Sequence, residues 1–103
     1  MAVVNIPPDN QIYGLGQVNG TLHIYNTGNP AGGNTTYDLT IITVNHWANV
    51  VIAQGHTDSY GAGGNAVYIQ NHGPNRLQVL YLEGEPETPE EAGWKVVSEV
   101  PSS

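Results

Sequence analysis

The stretch from Asn65 to Leu82 constrains the fold of this chain more than any other. It reads Asn-Ala-Val-Tyr-Ile-Gln, then Asn-His-Gly-Pro-Asn, then Arg-Leu-Gln-Val-Leu-Tyr-Leu. Two runs of β-formers flank a cluster of turn residues, a pattern that predicts a hairpin with a loop of about four or five residues. In the first arm Val67 and Ile69 share one face. In the second, Leu77, Val79 and Tyr81 oppose Gln78, Leu80 and Leu82. Apolar residues on both faces near the end of this arm predict a central strand covered on both sides.

The rest of the chain repeats the theme of short strands and turns. Ala2 to Ile6 is apolar and ends at Pro7-Pro8, which predicts an N-terminal arm over residues 1–10 or an edge strand. Gln11 to Val18 and Thr21 to Asn26 flank Asn19-Gly20, the strongest short hairpin signal. Thr27 to Asn34 reads as a loop. Thr35 to Val44 alternates well, Asn45-His46 breaks it, and Trp47 to Gln54 forms the next strand. Gly55 to Gly64 reads as a second long loop. Residues 83–93 hold Pro86, Pro89 and most of the glutamates, which predicts a solvated acidic crossing. Trp94 to Val100 resumes alternation as a terminal strand. No segment has helical periodicity beyond one turn. The fold expected over residues 1–103 is a single all-β domain, an antiparallel β-sandwich with jelly-roll-like character.

Composition narrows the function. The chain has 103 residues, no cysteine and no phenylalanine, so the core must come from Val, Ile, Leu, Tyr and Trp. Disulfides and thiolate metal sites are unavailable. The net charge is −7 with only Arg76 and Lys95 basic. Two cations cannot neutralise a phosphate backbone, which disfavours nucleic acid, and an anionic membrane surface is disfavoured for the same reason. Residues 1–22 show no signal-peptide pattern, and the expectation is synthesis in the cytoplasm.

No residue set announces a reaction. His56-Thr57-Asp58-Ser59 holds the residue types of a hydrolase triad, but adjacent strand residues point to opposite sides, and triads are assembled from separate elements. His23, His46, His56 and His72 lack metal-ligand spacing, and no calcium-loop pattern is present. No catalytic residue, metal or cofactor is expected. Sugars are held by an aromatic face with amides and imidazoles around it, and Asn45, His46, Trp47, Tyr60, Asn71 and His72 are the candidate ligand-binding residues of that kind, with Tyr68 and Trp94 as further aromatics. The opening Ile6-Pro-Pro-Asp-Asn followed by strands is similar to that of some small bacterial lectins, whose acidic calcium motif is absent here.

The leading expectation is a non-enzymatic structural or binding module. It would act as a homo-oligomer, such as a trimer, decorating or cementing a larger assembly such as a virion capsid. Apolar extended segments at both ends would make contacts between chains by strand addition, through Val3, Val4, Ile6, Trp94 and Val96. The alternative is a cytosolic carbohydrate-binding lectin.

Overall fold

Ile12–Asn26 forms one strand of 15 residues, β2, and both sheets of the protein are built on it. The structure, a computed structural model, describes residues 2–83 and 95–97; of Glu83 and residues 95–97 it describes the backbone alone. The other strands are β1 (Ala2–Ile6), β3 (Thr35–Ile41), β4 (Asn45–Ile52), β5 (Thr57–Gly61), β6 (Ala66–Gly73), β7 (Leu77–Glu83) and β8 (Lys95–Val97). All pairings are antiparallel, and no helix occurs among the described residues, so the protein is all-β as its sequence predicts.

The first half of β2 lies between β6 and β8, and β3 and β4 continue that sheet beyond β6. The second half lies between β5 and β7, with β1 outside β7. The inward side chains of β2 explain how one strand serves both. Tyr13 and Leu15 are buried at odd positions, whereas Val18, Leu22, Ile24 and Asn26 are buried at even ones. The phase changes at Gly16, where the pairing with β6 slips. Its φ of 73° is a conformation glycine adopts without cost, and the extra residue re-aims the chain.

The Asn19-Gly20 hairpin does not form. A two-residue turn of that type needs positive φ at both positions, and only Gly20 has it, at 66°. The backbone groups that would pair across the turn have other partners. Val18 donates to the Asn65 carbonyl and accepts from Gly64, and the Gly20 carbonyl accepts from Ala62 and Gly63. Gly20 instead marks the bend at which β2 passes from one sheet to the other.

The Asn65–Leu82 stretch yields two strands as expected, with Val67, Ile69, Leu77, Val79 and Tyr81 buried. They are not a hairpin. β6 and β7 lie on opposite sides of β2, so the turn between them carries the chain from one sheet to the other. β7 is central, but Leu80 is only half-buried and Leu82 is exposed, so its outer face is not covered by the described residues.

Two further boundaries differ from the sequence reading. β3 stops at Ile41 and the turn falls on Ile42-Thr43-Val44, with Thr43 at φ 64°, so Asn45 and His46 open β4 instead of breaking β3. The loop predicted over Gly55 to Gly64 contains β5. This polar strand supplies the ladder partner for one edge of Thr21 to Tyr25, a need that side-chain patterning does not reveal. Of the segments expected to reach a neighbouring chain, β1 pairs with β7 and β8 with β2 of the same chain. Ile6 is buried in the core, Val4 is half-buried and Val3 is exposed. Val96 lies opposite Tyr13. The acidic crossing beyond Glu83 and Trp94 lie outside the described residues.

The corner between β6 and β7 is held by buried amides. Asn71 donates to the carbonyls of Ile6 (3.0 Å) and Asn75 (2.8 Å) and accepts from the Gly73 N–H (2.8 Å). Asn71→Ala would leave buried backbone groups without partners, at about 1–3 kcal/mol for each group left unsatisfied. We expect urea unfolding to show a loss of ~2–4 kcal/mol for Asn71→Ala, against ~0.5 kcal/mol or less for Asn5→Ala on the exposed face of β1.

Candidate functional site

The six candidate ligand-binding residues divide among three places. Trp47 on β4 and Tyr60 on β5 turn inward, where the edges of the two sheets approach each other. Their rings lie 4.8 Å apart between centroids at 58°, and Tyr60 meets Tyr37 edge-on at 6.5 Å. The Tyr37 hydroxyl donates to Asp58 Oδ2 (2.7 Å) and lies 2.6 Å from the Tyr60 hydroxyl. A carboxylate only accepts, so Tyr37 gives its single proton to Asp58 and Tyr60 donates to Tyr37. Burial pushes the Tyr37 hydroxyl far above its ordinary value of 10.0, and the bond it donates to Asp58 adds to this. Tyr60 is raised as well, first by burial, with the Asp58 charge adding. Tyr37 belongs to the core, and Trp47 and Tyr60 pack against it.

Asn71 is the second place. It is fully buried and its amide is engaged by the corner described above.

The third place is the outer face of the sheet formed by β2, β6, β3 and β4. His46 stands opposite Thr40, Thr40 opposite Tyr68, and Tyr68 opposite Gly14. One row along, Asp38 stands opposite Gln70 and Gln70 opposite Ile12. His46 Nδ1 lies 2.6 Å from Thr40 Oγ1. His72 Nε2 lies 3.1 Å from Asp38 Oδ1, its Nδ1 contacts Asn10 Oδ1, and the Asn49 N–H donates to Asp38 Oδ1 at 2.7 Å. Asp38, Thr40, His46, Tyr68 and Gln70 line, with Ile12 and Ile69, a depression of only about 20 Å³, a platform and not a pocket. Asn45 is exposed beside it, at the start of β4. The structure thus gathers His46 and His72 with Tyr68, Asp38, Thr40 and Gln70. The last three carry no motif. Their common signal is outward parity on β3 and β6, and it becomes informative only once those strands are known to be neighbours.

The outer face of the other sheet has a different character. Val3 (54% exposed), Tyr25 (37%) and Leu82 (47%) lie there with half-buried Leu80. A groove of about 410 Å³ runs over Val3, His23, Tyr25, Thr57, Gln78 and Leu80. His23 Nδ1 lies 2.7 Å from Ser59 Oγ on this face. Asp58 points the other way, to Tyr37, and His56 is exposed beyond the end of β5, so the residues of the His56–Ser59 stretch have three separate environments. Among the described residues no group of three or more His, Asp or Glu side chains gathers as a metal site, and no helix is long and apolar enough to cross a membrane.

Comparison of the chain with protein-family models, with curated proteins and with solved structures gives no match.

The buried tyrosine sets an alkaline limit. An unfolded tyrosine ionises near pH 10, while Tyr37 in the fold holds its proton to higher pH. Above about pH 10 the unfolded chain therefore binds fewer protons than the folded one, and stability falls as pH rises. Urea unfolding between about pH 8 and 11 should show this decline, and Tyr37→Phe, with one buried ionisable group fewer, should flatten it.

Proposed function

We propose that this protein is a non-enzymatic binding module that works as a homo-oligomer, seated on a larger protein assembly such as a virion coat, and that copies meet through the outer face of the β1-β7-β2-β5 sheet. The observation that carries this reading is the character of that face. Val3, Tyr25, Leu80 and Leu82 share it, and none of the strand residues on it is Asp, Glu, Lys or Arg. The whole chain carries −7, so two copies repel each other over most orientations. An uncharged face with Val3, Tyr25, Leu80 and Leu82 on it is where they can approach, and burying a leucine or valine side chain there contributes about 1.5–3 kcal/mol. β1 and β5 lie at the edges of this sheet, and their outward polar residues Asn5, Thr57 and Ser59 form its rim. Gln78 and His23 lie among the apolar residues on the central strands, opposite Tyr25 and Leu80, and supply uncharged hydrogen-bonding groups within the contact.

Sedimentation of the full chain tests the proposal. At concentrations of about 10–100 μM it should sediment as an oligomer, and Leu80→Glu should reduce it to a monomer with an unchanged β-sheet spectrum, since a charge buried in such an interface is left unpaired. A full chain that stays monomeric at about 1 mM overturns the reading. So does an oligomer that Leu80→Glu leaves intact.

A further inference from the structure

We infer that the outer face of the β2-β6-β3-β4 sheet is a binding platform for a neutral saccharide, centred on Tyr68. This goes beyond the oligomer contact, which uses the opposite sheet.

Tyr68 is half-buried in the middle of the platform. On one side it has Thr40, and on the other Gly14, which brings no side chain to the row. A sugar ring presents C–H groups on its faces and hydroxyls at its rim. It therefore asks for an aromatic ring edged by hydrogen-bonding groups that do not crowd it. Strands lie about 4.8 Å apart and successive outward residues about 6.8 Å apart, so His46, Thr40 and Tyr68 span ~10 Å, with Asp38 and Gln70 one row along. That footprint suits a short oligosaccharide and is small for a protein partner.

The polar groups are held in place before any ligand arrives. Asp38 Oδ1 is fixed by the Asn49 N–H (2.7 Å) and by His72 Nε2 (3.1 Å), and His72 is fixed in turn at Nδ1 by Asn10. Gln70 Nε2 donates to the Asn10 carbonyl at 2.8 Å, and His46 Nδ1 is held by Thr40. Each of these contacts orients a group whose other atom faces outward. Asp38 Oδ2, Gln70 Oε1, His46 Nε2 and the Tyr68 hydroxyl make no protein hydrogen bond among the described residues. Groups already ordered lose little freedom on binding, which favours a ligand that needs several hydrogen bonds at once. The Asp38 carboxylate one row from Tyr68 disfavours an anionic sugar, so the probes are uncharged oligosaccharides.

The test is a titration of the ¹⁵N-labelled full chain with cellotriose, maltotriose, chitotriose and mannotriose, each to about 20 mM, followed by amide shifts. At least one should give saturable shifts at Thr40, Tyr68 and Gln70, with a Kd on the order of 1 mM. Tyr68→Ala should weaken that binding by about tenfold or more, Tyr68→Phe by only about threefold, and Asp38→Asn by about threefold to tenfold. Three results overturn the inference: no saturable shift with any probe, saturable shifts confined to another surface, or a folded Tyr68→Ala chain that binds as the parent does. Failure here is separable from failure of the oligomer proposal, which is read from the mass of Leu80→Glu.

Discussion

The fold depends on a single strand that serves two sheets. β2 contributes Tyr13 and Leu15 to the core from one half and Val18, Leu22 and Ile24 from the other. It pairs with four other strands along its length. Both sheets thus share a covalent spine, and neither can shift against the other without breaking the ladder of β2. Gly16 and Gly20, both at positive φ, are what let one strand change phase and bend within a few residues.

A chain without phenylalanine or cysteine needs other means of fixing its ends. Buried asparagines provide one. Asn26 ties Ile52, Gly33 and Gly28 together, Asn75 bridges to Ala31, Gly32 and Gly33, and Asn71 holds β1 to the β6–β7 corner. Each amide both donates and accepts, so it can satisfy the backbone of loops that have no ladder partner. Aromatics provide the other. Trp47, Tyr60 and Tyr37 join the edge strands β4 and β5 to the core, with Asp58 as the terminal acceptor. Residues that would serve a ligand well are in this way taken up by the fold.

What remains outside is divided by chemistry. One sheet turns to solvent a face without charged strand residues that carries Val3, Tyr25, Leu80 and Leu82, and the other turns a braced polar face around one tyrosine. Strand alternation makes this possible, because every inward residue fixed by the core leaves its neighbour free to vary. The proposals made above for the two faces draw on different physics, desolvation of apolar surface in one and preorganised hydrogen bonding in the other.

The class of the fold and much of its core are legible in the order of residues. Alternation in Thr35 to Ile41, Ala66 to Gln70 and Leu77 to Leu82 placed the right side chains inward, because a period of two is a local property of the backbone. It also named His46, His72 and Tyr68 as polar and aromatic residues of interest, without saying that they share a surface. Which strands are neighbours is settled by the packing of the whole molecule. Asn19-Gly20 and the turn before Arg76 carry hairpin chemistry, yet both lie where the chain passes between sheets. Turn residues specify a change of direction and not the partner on the far side. Partner choice follows from the total apolar surface and the backbone hydrogen bonds satisfied over the whole molecule. The same reason hid β5, a polar run whose role is to complete the edge of β2, and it hid the meeting of Asp38, Thr40 and Gln70 around Tyr68.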